Sequence, residues 1–229
     1  MDLFLQAVET SSEAFFYNRL DGIHFDIAGL TNITSDHMNT HKTIRNYVDC
    51  KKQLFINSNL QILNSQDLHF EEVKNVCDNY QAYGTNDNDN IQVLSYTLYP
   101  NKTTISFKYN DVEYNVESSL LGKFNVDNLI LAILVCMNLC FDIFKVLPKT
   151  NKLVIPGRMQ IVDNGQPFYC VVDYAHTANA VKNVLEFANT LSVNRIVTII
   201  GQAGGRKYVS LEKIAINCMD CSIPDNDGN

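Results

Sequence analysis

The sequence predicts an α/β protein: a mostly parallel sheet with flanking helices and a small β-meander, followed by the start of a second, smaller parallel-sheet unit. Three observations predict it. Short apolar runs end in polar signatures at Glu9-Thr10-Ser11-Ser12, Thr31-Asn32 and Asp173-Tyr174-Ala175-His176, and open α/β sheets place their chemistry at the carboxyl ends of strands. Stretches of helical period alternate with these runs. Three strand-like runs separated by turn residues follow one another within residues 91–116. At 229 residues the chain can bury a real core as one large domain or two modest ones. The reading divides it into residues 1–150 and 151–229.

Taken in order, Leu3 to Val8 is a short apolar run expected to form a buried strand with Glu9 at its carboxyl edge. A helix is expected from Ser11 to Asn18, capped by Ser11 or Ser12. Phe25 to Leu30 reads as the next strand, and Thr43 to Phe55 as a helix presenting Ile44, Tyr47, Val48, Leu54 and Phe55. Gly84 to Asn90 has the composition of a solvated loop. The meander comprises Ile91–Tyr99, Thr103–Tyr109 and Val112–Val116, with Pro100-Asn101 and Asn110-Asp111 as turns. An apolar helix over 129–141 is too interrupted by Asn138, Asp142 and Lys145 to span a bilayer. Pro148 to Pro156 reads as a linker. Beyond it, strand Phe168–Val172, helix Ala178–Leu191 and strand Arg195–Ile200 make a βαβ pattern.

Composition narrows the function classes. The balance of 18 basic against 25 acidic residues gives a net charge of −7, which argues against a nucleic-acid partner, since phosphate binding calls for a basic face. Seven cysteines without disulfide-scaffold spacing, and no secretory signal at the first residues, point to reduced thiols in a cytoplasmic protein with no membrane partner.

On residue type alone, Glu9 suits a hard cation such as Mg²⁺ or the capping of the next helix. His37 and His41 stand four apart, but Met38 occupies the glutamate position of a zinc-protease helix, which excludes that motif. Gly122-Lys123-Phe124-Asn125-Val126-Asp127-Asn128 offers amides that can read a base edge or cap a helix. Arg158 in Pro156-Gly157-Arg158-Met159 has the planar fork suited to phosphate oxygens. Gly201 to Lys207 is not a phosphate loop, because Arg206 replaces its second glycine and Tyr208 its hydroxyl residue. Cys218-Met219-Asp220-Cys221 lacks the second ligand pair of a structural zinc site.

Together, Glu-x-Ser-Ser at residues 9–12, Thr31-Asn32 through Asp36-His37, Lys51, Gly-x-Phe-Asn-x-x-Asn at 122–128, Gly157-Arg158-Met159 and Asp173-Tyr174-Ala175-His176-Thr177 resemble the Mur ligase family. The branch is the one that adds the third amino acid, lysine or diaminopimelate, to a UDP-N-acetylmuramoyl dipeptide in peptidoglycan synthesis. The resemblance runs from Val8 to about Ile216. It implies a partial central domain followed by the start of a Rossmann-like C-terminal domain, and an ATP-dependent amide-bond ligase working through an acyl phosphate. It further implies Mg²⁺ held by Glu9, His37 and a carbamylated Lys51, which serve as the catalytic set. ATP would be held by Asn125, Asn128, Arg158, Asp173 and His176, and the muramoyl substrate by Ser11 and Arg19. The sequence shows no N-terminal UDP-binding domain, no Gly-Lys-Thr phosphate loop and little of the C-terminal domain. A complementary chain carrying that loop is therefore an expected partner, beside the nucleotide dipeptide and a free amino acid. Two other readings stand: a non-catalytic remnant or partner subunit, and a folylpolyglutamate synthase-like ligase.

Overall fold

The computed structural model describes residues 5–34, 38–191, 195–201 and Ile214, without the side chains of Met38 and Asn39. The chain forms two compact units, residues 1–92 and 93–229. The strands of the main sheet are hydrogen-bonded in chain order, β1 to β6.

The first unit holds α1 (Ser12–Phe16), β1 (Phe25–Gly29), α2 (Met38–His41), α3 (Ile44–Ile56), β2 (Ser58–Asn64), α4 (Phe70–Lys74), β3 (Tyr80–Gly84) and the start of β4 (Ile91–Leu98). β1, β2 and β3 run parallel, with Ile27 opposite Leu60 and Ile62 opposite Gln81, and β4 joins β3 in parallel at Tyr83 and Ile91. Parallel neighbours need crossover connections, which α3 supplies between β1 and β2 and α4 between β2 and β3; β3 reaches β4 through residues 85–90 and pairs with it only at its start. Of the predicted face of α3, Tyr47, Val48 and Phe55 join Ala28, Leu30, Ile33, Leu63 and Val73 in one core with Leu54 packed against it, whereas Ile44 is 38% exposed.

Polar side chains tie this sheet at its carboxyl edge. Asn64 Nδ2 donates to the Thr31 carbonyl at 2.9 Å, the Tyr83 hydroxyl to the Leu30 carbonyl at 2.9 Å, and the Ile33 amide to Asp67 Oδ2 at 2.7 Å. Buried backbone groups require such partners. Here the partners also fix how the chain leaves β1.

Two strands escaped the sequence reading, and one expected strand is absent. β2 carries buried polar residues, Gln61 and Asn64, that break the apolar pattern while bonding internally, and β3 is a short run of five residues with Gln81 in it. The strand expected at Leu3–Val8 does not form: residues 5–11 have no regular structure, and Leu5 and Val8 are 53% and 51% exposed. Among the described residues β1 is the first strand of the sheet and pairs only with β2, so residues 5–8 lie outside the ladder. Leu3 itself lies outside the described residues.

The second unit holds the rest of β4, β5 (Thr103–Tyr109), β6 (Val112–Ser118), α5 (Lys123–Asn138), α6 (Ile143–Val146), a 3-10 helix (Leu147–Lys152), β7 (Gln160–Val162), β8 (Cys170–Val172) and α7 (Ala178–Thr190). Asn110 and Asp111 turn β5 into β6 with φ of 50° and 61°, the geometry of a tight hairpin turn. Helix α5 buries Leu129, Ile130, Ile133 and Leu134, as its composition predicted.

Three expectations change here. The helix over 129–141 begins at Lys123, so Asn125 and Asn128 lie inside it rather than capping it, and Gly122 stands at the N-cap. The linker at 148–156 is in its first half a packed 3-10 helix: buried Thr150 Oγ1 donates to the Glu117 carbonyl at 2.6 Å and the Leu147 carbonyl at 2.7 Å. The βαβ pattern is not realised among the described residues. β8 pairs antiparallel with β7, and Arg195–Ile200 forms no strand, because apolar composition alone supplies no ladder partner.

Two stability tests follow from α5. Gly122 has φ 89° and ψ 149°, a region open essentially to glycine alone, and a Cβ there would lie 2.8 Å from Phe124 Cε1. Gly122→Ala is expected to cost about 1–3 kcal/mol in urea unfolding; an unchanged midpoint would contradict this. Burial raises the Asp127 carboxyl above its ordinary 3.8, with Lys123 pulling the other way. Because folding raises it, this carboxyl favours the fold while protonated, and that contribution is lost as pH rises through the folded value. Asp127→Asn should therefore gain stability over wild type at pH 7, and the gain should vanish below pH 3.8. A gain that grows on acidification would refute the assignment.

Candidate functional site

The candidate residues fall into two groups, one in each unit. In the first unit, Ser11 has extended backbone (φ −80°, ψ 152°) and caps α1, its Oγ accepting from the Ala14 amide. A hydroxyl used in this way still has a proton to donate. The next residue, Ser12, is buried and hydrogen-bonds His41 Nε2 at 2.8 Å, while Thr40 Oγ1 donates to Glu13 at 2.7 Å. These bonds dock α1 on α2. Arg19 is exposed, its guanidinium 5.3 Å from the Tyr17 ring centre. Lys51 lies one turn after Tyr47 on α3, half-buried, with Nζ 5.4 Å from the Tyr47 ring centre.

Glu9 is exposed, two residues ahead of the cap, rather than at the end of a buried strand. Asp36 and His37 lie outside the described residues, as do Gln202 to Lys207 and the Cys218–Cys221 pair. Among the described residues no three His, Cys, Asp or Glu side chains group to hold a metal ion. Mg²⁺ calls for several oxygen donors. Glu9 offers one carboxylate, and Lys51 as an ammonium would repel the ion, so the described side chains alone do not make a Mg²⁺ site.

In the second unit, Asp173 is the joint of the site. Its Oδ2 accepts from the Met159 amide at 2.8 Å and its Oδ1 from the Ala175 amide at 2.7 Å. One carboxylate thereby ties the Gly-Arg-Met turn to the Asp-Tyr-Ala-His turn. The Met159 backbone, at φ 44°, is held in a left-handed conformation that few non-glycine residues adopt. Arg158, exposed, stacks over the Tyr174 ring at 4.8 Å, and the His176 ring meets the same ring edge-on at 4.8 Å. His176 Nδ1 donates to the Tyr174 carbonyl at 2.9 Å, which fixes the proton on that nitrogen because a carbonyl can only accept.

On α5, buried Asn125 donates to the Leu121 carbonyl at 2.8 Å and accepts from exposed Asn128 at 3.2 Å. Leu121 and Phe124 share an apolar cluster with Met159, Ile161, Val171 and Phe187. The Gly-x-Phe-Asn and Gly-Arg-Met segments are therefore anchored on one core. An open cavity of about 920 Å³ runs from Asp173 and Ala175 along Val181 and Leu185 to residues 195–200.

The structure thus brings Arg158, Asp173 and His176 together, and places Ser11 and Lys51 on helices docked through His41. The sequence reading missed Tyr174 and Tyr47 as the rings that receive the two cations. Their spacing was the available signal: Tyr174 sits between Asp173 and His176, and Tyr47 one helical turn before Lys51. The five described cysteines, Cys50, Cys77, Cys136, Cys140 and Cys170, are free thiols. Burial raises the Cys77 thiol to about 11, which makes it an inert residue at neutral pH.

Residues 4–136 match the family described as Mur ligase middle domain, and residues 171–229 match pyroglutamyl peptidase, a quarter of the chain. A diaminopimelate ligase of the UDP-N-acetylmuramoyl-L-alanyl-D-glutamate type from Fusobacterium nucleatum is 32% identical over 235 residues, covering 96% of this chain and 47% of the relative. One from Clostridium acetobutylicum is 32% identical over 203 residues, covering 87% and 42%. A solved structure of a diaminopimelate ligase of the same type superposes with a TM-score of 0.71 at 27% identity, over 94% of this chain and 46% of that one. MurF from Acinetobacter baumannii superposes with a TM-score of 0.74 over 85% and 44%, at 14% identity, a likeness of fold alone. The chain spans about half the length of the curated relatives it matches. With more than half its residues in the middle-domain match and the sheet in place, the chain belongs to the Mur ligase family.

Proposed function

We propose that this chain is part of an ATP-dependent ligase that adds diaminopimelate to UDP-N-acetylmuramoyl-L-alanyl-D-glutamate in the cytoplasm, a step of peptidoglycan synthesis. The observation that carries this reading is the 32% identity with the Fusobacterium nucleatum diaminopimelate ligase over 96% of this chain. Lysine as the added residue is the narrower alternative. In the proposed reaction the terminal carboxylate of the dipeptide attacks the γ-phosphorus of ATP and ADP departs. The amine of the incoming residue then attacks the acyl phosphate, forming the amide and releasing phosphate.

Roles are assigned residue by residue. The planar fork of Arg158 suits phosphate oxygens, and its Tyr174 stack pre-orients it. The His176 ring meets the same ring edge-on, and Asp173 holds both turns. Asn125 and Asn128 serve the adenine side from α5. Ser11 and Arg19 serve the muramoyl substrate. Glu9, His37 and carbamylated Lys51 would carry Mg²⁺, whose chemistry is to neutralise phosphate charge.

A folylpolyglutamate synthase from L. casei also superposes, with a TM-score of 0.60 at 14% identity, so the fold alone does not separate the two ligases. Calorimetric titration with ATP and Mg²⁺, then with UDP-N-acetylmuramoyl-L-Ala-D-Glu and with a folate, separates them. The muramoyl dipeptide should bind and the folate should not; the reverse would overturn the proposal, and binding of none by the folded chain would favour a non-catalytic remnant. Losing a charge-assisted contact costs about 1.5–3 kcal/mol, so Arg158→Ala should weaken ATP roughly ten- to hundredfold. Arg19→Ala should weaken the dipeptide to a similar extent and leave ATP unchanged. Equal loss of both ligands in either variant would contradict the assignment of roles.

A further inference from the structure

We propose that His41 and Thr40 are positioning residues for Ser11 and Arg19, acting through the short helix α1. The proposal rests on the reading of Ser11 and Arg19 as contacts of the muramoyl substrate. Both are tied to one residue of that helix. The Ala14 amide donates to Ser11 Oγ at 3.2 Å, and the Ala14 carbonyl accepts from the Arg19 amide at 2.8 Å. Asn18, at φ 54°, supplies the left-handed turn that brings Arg19 back to Ala14. Ser11 and Arg19 are therefore set by the place of Ala14. With only five residues, α1 is too short to hold a helix unaided, so that place is fixed by what docks the helix.

His41 is the main dock. Its Nε2 shares a hydrogen bond with Ser12 Oγ at 2.8 Å, and both residues are 1% exposed. Its ring packs edge-on at 5.5 Å against Phe16, the last residue of α1. The His41 carbonyl accepts from the Thr43 amide at 2.7 Å and from Asn46 Nδ2 at 3.0 Å, which joins it to the start of α3. Val48 and Phe55 anchor α3 in the sheet core. Thr40 adds a second bond, its Oγ1 donating to Glu13 at 2.7 Å. Both bonds reach the first turn of α1, beside Ser11. A buried hydrogen-bonded pair is costly to break, since the group left behind cannot turn to water. Rigidity thus passes from the sheet through α3 and His41 to the two groups that meet the substrate. Their freedom is restricted before the substrate arrives, which is the benefit of preorganisation.

Two measurements on the full chain test this. Amide hydrogen exchange followed by NMR needs no ligand. In Ser12→Ala the Ala14 and Arg19 amides should exchange roughly tenfold faster, while the amides of β1 and β2 keep their rates. Thr40→Val keeps the branched shape, removes the bond to Glu13, and should act in the same direction. His41→Leu should match Ser12→Ala, and the double variant should add little, since the same bond is lost in all three. Calorimetry supplies the second readout. Ser12→Ala should weaken UDP-N-acetylmuramoyl-L-Ala-D-Glu roughly tenfold and leave ATP unchanged. In an Arg19→Ala background the same change should weaken the dipeptide much less, because a group it positions is gone. A merely structural role would weaken both ligands and add fully to Arg19→Ala, and that result would overturn the proposal. Wild-type exchange of Ala14 and Arg19 in both Ser12→Ala and His41→Leu would also overturn it. A wild-type chain that binds no dipeptide would count against the proposed function, and the exchange rates would still decide whether His41 and Thr40 set Ala14 and Arg19.

Discussion

The constraint on which the first unit depends is the satisfaction of backbone groups where the chain leaves β1. Where a strand of a parallel sheet ends, its last carbonyls and amides lose their ladder partners and need others. Here Asn64, Tyr83 and Asp67 meet those of Leu30, Thr31 and Ile33. The three side chains come from β2, β3 and the turn after β2, so the exit from β1 is set by the strands beside it. Removing the Tyr83 hydroxyl would leave the buried Leu30 carbonyl unpaired, at a cost of about 1–3 kcal/mol. The Thr31 end of the signature is thereby held by the sheet.

The second unit solves the same problem with a single carboxylate. Asp173 accepts from Met159 and Ala175, so two turns distant in sequence are set against each other. The apolar cluster of Leu121, Met159 and Phe187 then fixes those turns relative to α5. Surface pairs such as Lys108 with Asp111 contribute little by comparison, because exposed ion pairs are screened and cost side-chain entropy. Buried side-chain-to-backbone bonds, more than charge pairs, give both units their functional geometry.

Much of this was legible in the residues. The amphipathic face of α3, the Asn110-Asp111 hairpin and the apolar α5 follow from local pattern, and local pattern is what a sequence displays directly. Of the missed strands, β2 contains Gln61 and Asn64, whose polarity reads as loop until their internal bonds are seen. The runs ending at Val8 and Ile200 mislead in the opposite sense, since apolar content without a neighbouring strand does not make a strand. The same distinction governs the site. Arg158, Asp173 and His176 were identifiable from motif, and the structure joins them. Tyr174 and Tyr47 stand at a visible spacing from the cations, but their ring contacts, like those of His41, appear only in the structure. The domain division at residue 150 is a statement about the family, whereas the compact units meet at Gln92 and Val93.

The central claim is that both signature segments are held in place by internal polar contacts before any ligand binds. Residue-resolved native-state hydrogen exchange on the ligand-free chain measures this directly. The amides of Ile33 and Met159, donors to Asp67 and Asp173, should exchange as slowly as amides in the neighbouring strands. In Asp67→Ala and Asp173→Ala respectively, each should become fast while the strand amides remain protected. Fast exchange of Ile33 and Met159 in the wild-type chain, rising to protection only when ATP or the muramoyl dipeptide is added, would contradict the account.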